Sequence, residues 1–230
     1  MNTNVDILHG PAVTVDADRQ RVLRNTYALL AVSMLPTVLG AWIGVQTGIT
    51  SLLSPMVGLV VFLAGAFGFM FAIEKYKNSG LGVALLLAFT FFMGLMLARL
   101  LGLVLAKGNG AQMVMMAFAG TSAVFFGMAT LSSVIKRDLS GMGRWLFIGA
   151  IVLMVVGIAN VFIQSSALML ALSVLAVGIF SAFILHDLKR VRDGEETNYI
   201  TATLGVYLSL YNVFQSLLAI FGLTGGGSDD

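Results

Sequence analysis

The chain has 230 residues, 58% of them apolar and only 10% charged, with a mean hydropathy of +0.96. A water-soluble domain carries about 25% charged residues, so this composition excludes a soluble globular protein and requires a polytopic membrane protein, with the lipid bilayer as its first partner. The net charge of +2 comes from basic residues parcelled into short loops, which is no footprint for nucleic acid, and with no cysteine there are no disulfides, thiolate metal sites or cysteine catalysis.

Residues 1–22 read as a flexible polar tail, without the basic start and apolar core of a signal peptide, so insertion is expected to rely on the first span. Such a tail has a typical reach of about 26 Å by random-coil scaling. Seven apolar runs follow, near 25–46, 53–73, 81–106, 111–135, 143–163, 166–187 and 199–222. Each is close to the roughly 20 residues that a bilayer needs. Pro36 falls inside the first run and is expected to kink it, whereas Pro55 opens the second, where proline is tolerated. The connections are too short for a soluble domain. Residues 23–223 are therefore expected to form one bundle, followed by a short tail at 224–230.

The distribution of Lys and Arg orients this bundle. Arg19, Arg21, Arg24, Lys75, Lys77, Lys136, Arg137, Arg144, Lys189, Arg190 and Arg192 fall at the end that carries the N-terminus, leaving only Arg99 and Lys107 of the thirteen basic residues. The positive-inside rule then expects a cytoplasmic N-terminus and a C-terminal GGGSDD on the outside.

Small residues recur in the second run (Gly58, Gly65, Gly68) and the fourth (Ala119, Ala123, Gly127, beside Gly120 and Ser122), a spacing that favours close helix packing. The thirteen methionines, including Met113, Met115 and Met116, read as adaptable packing rather than a soft-metal path.

The last two runs carry most of the chemistry. The sixth arrives at His186-Asp187 and breaks into a charged segment before the seventh begins. On a helical projection Asn198, Thr201, Gly205, Ser209, Asn212 and Ser216 lie within about 80°. Tyr207 and Tyr211 stand one turn apart on another face. A polar seam of this kind is expected to point into the bundle, which makes the C-terminal helix its centre. Asp187 borders the membrane and reads either as a functional intramembrane carboxylate or as an interfacial residue paired along its own helix with His186 or Arg190. Together Asp187, Asn198, Thr201, Tyr207, Ser209, Tyr211 and Asn212 form the candidate ion- or pH-sensing site, or polar core. Arg99 reads as a snorkelling residue toward the opposite end, too far in depth to pair with Asp187. No HExxH, GxSxG, P-loop or dinucleotide fingerprint occurs, so neither an enzyme nor a cofactor is expected.

The stretch HDLKRVRDGEETNYITATLGVYLSLYNVFQSLLAIFG resembles the C-terminal signature of the transmembrane Bax inhibitor motif family, most closely its bacterial YccA branch. LRNTYALLAVSMLPTVLGAWIG and KRDLSGMGRWLF are similar to that family's opening helix and fourth-to-fifth connection, so the resemblance spans roughly residues 20–223. It implies an all-α membrane fold of seven transmembrane helices, six around a central C-terminal one, in the bacterial inner membrane. It also implies two activities. One is a pH-sensitive calcium or ion leak gated by two facing aspartates, of which Asp187 matches the first. The family's LYLD reads VYLS here, placing Ser209 at the second, so a proton-sharing carboxylate pair is not available. The other, belonging to the YccA branch, is association with the membrane AAA+ protease FtsH as substrate and modulator, with the N-terminal tail as the segment that the protease would grasp.

Overall fold

Inside hydrocarbon every backbone N–H and C=O must find a partner within the protein, so an apolar run of spanning length closes on itself as a helix. The computed structural model describes residues 11–139 and 141–225, with side chains from residue 17 onward. Among the described residues there are seven helices: α1 (Pro11–Thr47), α2 (Pro55–Tyr76), α3 (Gly80–Leu105), α4 (Gly110–Val134), α5 (Met142–Ile163), α6 (Ser166–Asp193) and α7 (Tyr199–Thr224). All seven are long and apolar enough to cross a membrane.

Two helices outrun the apolar runs that announce them. α1 begins at Pro11, so residues 11–22, expected as flexible tail, have helical backbone; residues 1–10 lie outside the described residues. Proline suits a first helical position because the N–H it lacks would have no intrahelical acceptor. α6 continues through the charged segment to Asp193 and stops where Gly194 adopts φ +83°, a left-handed cap. The helix persists because Leu188 and Val191 are buried, while Lys189, itself buried, pairs with Asp193 one turn on. Charge ends the apolar run but not the helix.

The short turns are held by side-chain caps. Ser54 accepts from the Val57 amide before Pro55, and Ser165 accepts from the Leu168 amide. The Asn160 amide group both donates to and accepts from the Ser165 backbone, closing the α5–α6 turn around Gln164 at φ +55°. Asn198 caps α7 by accepting from the Ile200 and Thr201 amides, while its own amide donates to the Lys77 carbonyl and to Asn78 Oδ1. The start of α7 is thereby fixed to the α2–α3 turn.

α7 packs most extensively against α6, then against α4, α1 and α3, and touches α2. α5 packs chiefly against α6. The most extensive helix pair is α1 with α3. There Gly40 and Gly44 on α1 meet α3, and Gly94 on α3 meets α1: a methyl group on Gly94 would stand 2.1 Å from the Thr37 carbonyl oxygen, and one on Gly40 2.2 Å from that of Phe91. The two backbones touch, the close approach that small residues four apart permit.

The small residues of α4 behave differently. Ala119, Ala123 and Gly127 are exposed on the outer surface, and a methyl group on Gly127 would meet nothing within 4 Å. Close packing in α4 falls on the neighbouring Gly120, facing Leu217, and on the buried Ala117 and Thr121.

Candidate functional site

α7 is buried on almost every side, and its most secluded face is not the polar seam. Val206, Tyr207, Val213 and Leu218 are all at or below 1% exposure. Both tyrosines put their hydroxyls to use. Tyr207 shares a 2.9 Å hydrogen bond with the Thr37 hydroxyl and reaches the Thr90 carbonyl at 3.4 Å, while Tyr211 donates to the Met93 carbonyl at 3.2 Å. Tyr207 also packs edge-on against Phe89. The tyrosine face thus locks α7 to α1 and α3, satisfying polar atoms that would otherwise be costly in a dry interior.

The seam does not act as one unit. Asn198 is spent on capping, and the Thr201 hydroxyl donates to Glu74 at 3.4 Å. The Ser209 hydroxyl donates to the Gly205 carbonyl and the Asn212 amide to the Leu208 carbonyl, each one turn back along its own helix. Such bonds satisfy a polar side chain locally and leave little to offer a passing ion.

Asp187 stands where α6 crosses α7. Its side chain is 17% exposed and that of His186 10%, with His186 Nδ1 3.3 Å from Asp187 Oδ1. Each residue occupies a notch made by a glycine on a neighbouring helix. A methyl group on Gly205 of α7 would stand 2.9 Å from Asp187 Oδ2, and one on Gly143 of α5 2.7 Å from His186 Nε2. Arg190 turns instead toward Glu195 and Glu196, so of the two partners on its own helix Asp187 takes His186. Asp187 therefore meets α7 at Gly205, one turn before Ser209, whose hydroxyl bonds elsewhere. Beyond this, Arg192 donates to the Ile135 carbonyl and ties the end of α6 to the end of α4.

The chemistry open to this arrangement is limited. A carboxylate beside an imidazole can exchange a proton. It gives a divalent cation one carboxylate where calcium takes six to eight oxygens, and among the described residues no three His, Asp or Glu side chains converge. The two glycine seats were invisible as such in the sequence. In sequence Gly205 is one small residue of the seam, and nothing in the local pattern marks Gly143 as the seat of His186.

The family model Bax1-I, described as inhibitor of apoptosis-promoting Bax1, matches residues 19–226. The chain belongs to the Bax1-I family. It is 39% identical over 202 residues to an Escherichia coli (strain K12) protein named modulator of FtsH protease YccA, covering 88% of this chain and 90% of that one. The same figures hold for an E. coli O6:H1 protein named inner membrane protein YccA. A Vibrio cholerae protein described only as an uncharacterized membrane protein is 37% identical over 206 residues, covering 90% of this chain and 91% of its own length. With its seven apolar helices, this Bax1-I member is a multi-pass inner-membrane protein. Its family is one of inhibitor- and modulator-type membrane proteins.

Proposed function

We propose that this protein binds an FtsH-type membrane AAA+ protease and modulates it, acting as a slowly processed substrate that restrains turnover of other membrane proteins. The observation that carries this reading is 39% identity, over nearly the full length of both chains, to a protein named as a modulator of that protease. The physical character of the bundle supports it. Extraction by an ATP-driven unfoldase must separate α1 from α3 across touching backbones, then strip α7 from the tyrosine bonds that hold it. A chain that resists at these points occupies the protease for longer than a loosely packed substrate.

The alternative is an ion leak through the bundle. Asp187 is the residue that favours it, as a partly buried carboxylate at a helix crossing. Gly205, rather than a second acid, faces that carboxylate, and Ser209 bonds to its own helix, so the modulator reading is the better supported.

Cross-linking in native membranes tests the proposal. A photoreactive residue at Tyr76 or Val134, both exposed, should give adducts with the protease when the chain is present at natural levels. Adducts with unrelated membrane proteins alone would count against it.

A further inference from the structure

At the basic end of the bundle α1 runs past its apolar stretch. The helix begins at Pro11 whereas the apolar run begins near residue 25, so the turns that carry Asp18, Arg19, Arg21 and Arg24 stand beyond the lipid-facing part of the helix. They meet the α6–α7 turn at Gly194. A methyl group on Gly194 would stand 2.6 Å from Arg19 Nε and 3.2 Å from its Cζ and Nη2, so the guanidinium lies against the Gly194 backbone. Beside this contact α1 and the turn part around a cleft of about 540 Å³, lined by Asp18, Arg21, Asn25, Glu196, Thr197 and Tyr199.

Gly194 caps α6 at φ +83°, a conformation that calls for glycine whether or not anything lies against it. What the missing side chain adds is an open face, and the Arg19 guanidinium fills it. The position suits a cation, because carbonyls without intrahelical partners and the negative end of the macrodipole gather at a helix C-terminus. The seat is also fixed in place. Asn198 donates to the Lys77 carbonyl and to Asn78 Oδ1, and Arg192 donates to the Ile135 carbonyl, which ties the turn to the ends of α2 and α4.

We infer that Arg19 seated on Gly194 is a latch, which holds the first turns of α1 against the anchored α6–α7 turn and sets how readily the chain is drawn out from its N-terminal end. The geometry of the latch stands by itself, while its consequence for extraction rests on the protease reading above. A pull on the N-terminus loads these turns of α1 first. With the latch closed the load passes on to α6 and, through the turn, to the ends of α2 and α4. With it open the same turns unwind alone and lengthen the free chain that an unfoldase can grip.

The test is hydrogen–deuterium exchange of the full-length protein in lipid nanodiscs, read over residues 17–25, beside its half-life in cells with and without the AAA+ protease. Arg19→Ala empties the seat. Gly194→Asn keeps a residue that tolerates the left-handed cap but puts a Cβ where the guanidinium lies. Each should speed exchange over residues 17–25 by about two- to fivefold, the shift that a cation at an exposed helix C-terminus supplies, and should shorten the protease-dependent half-life. The double variant should do no more than either single one, because both break the same contact. Arg24→Ala removes an equal charge from the same helix outside the cleft and should change neither readout. Arg19 is exposed, so the melting temperature of Arg19→Ala should match the wild type and serves as the folding control. Wild-type exchange in Arg19→Ala, or equal acceleration in Arg24→Ala, overturns the latch. Faster exchange with an unchanged protease-dependent half-life overturns its control of extraction. A wild-type half-life that is the same with and without the protease contradicts the protease reading instead, and exchange alone then decides the latch.

Discussion

Replacing Gly94 by alanine tests the idea that α1 and α3 are held by backbone contact. The new methyl carbon would lie 2.1 Å from the Thr37 carbonyl oxygen and 2.9 Å from the Ala41 nitrogen. Ordinary contact begins near 3.4 Å, so the helices must separate locally by about 1.3 Å, and both atoms in the way are backbone, which no rotamer change relieves. A radial gap of about 0.5–1 Å already forfeits a quarter to a half of each contact's dispersion energy, and overpacking of this kind costs about 1–3 kcal/mol. Against it stands the higher helix propensity of alanine, about 1 kcal/mol. The net expectation is a loss of up to about 2 kcal/mol, or up to about 8 °C in melting temperature for a chain of this size, and a difference of about 1–3 kcal/mol from an alanine that gains the same propensity without the clash. The assay is thermal unfolding of purified protein in detergent, followed by loss of the monodisperse peak on size-exclusion chromatography. Gly127→Ala, with nothing within 4 Å of its added methyl, is the matched control and should be neutral or slightly stabilising. The double variant Gly40→Ala/Gly94→Ala should cost less than the sum of its parts, because the first change has already opened the gap. Equal melting temperatures for Gly94→Ala and Gly127→Ala would refute the reasoning.

Three further outcomes are expected. Tyr207→Phe should lower stability by about 0.5–1.5 kcal/mol by deleting the bond to Thr37, which keeps its own bond to the Ser33 carbonyl; the same melting assay reads it, and an unchanged midpoint would show that the tyrosine is not a lock. In liposomes the wild type, Asp187→Asn and Ser209→Asp should all pass calcium and protons no faster than empty vesicles; a flux in the wild type that Asp187→Asn removes would favour the leak reading instead. A reporter inserted after Arg192 should be active on the cytoplasmic side and one at the C-terminus on the other, because eleven of thirteen basic residues gather at one end; the reverse pattern would invert the orientation.

The seven spans were legible because hydropathy alone decides them, and the caps at Ser54, Ser165 and Asn198 sit where the apolar runs begin. What hydropathy cannot supply is sidedness. In lipid a leucine on the outside is as comfortable as one inside, so the α4 stripe of Ala119, Ala123 and Gly127 looked like a packing face and is in fact exposed. The contact that does bring backbones together uses Gly40 and Gly44, a GxxxG spacing on α1 whose partner helix nothing in the sequence pattern identifies. The seam on α7 is polar in sequence, yet the most secluded face belongs to Tyr207 and its apolar neighbours, and the hydroxyls of Tyr207 and Tyr211 find partners more than a hundred positions away. Asp187 could be singled out from its charge and position. Its seat against Gly205 could not, because it depends on how α6 crosses α7, which no single helix encodes.

The modulator reading stands or falls on turnover in the membrane. The measurement is a pulse-chase of this chain, full-length and lacking residues 2–10, with and without the AAA+ protease, alongside the half-life of a second membrane substrate of that protease. The deletion leaves every described residue in place. The account predicts that the full-length chain is degraded only when the protease is present, that the shortened chain accumulates, and that the accumulated chain prolongs the life of the second substrate. Equal half-lives in all four conditions, with the second substrate unaffected, would contradict it.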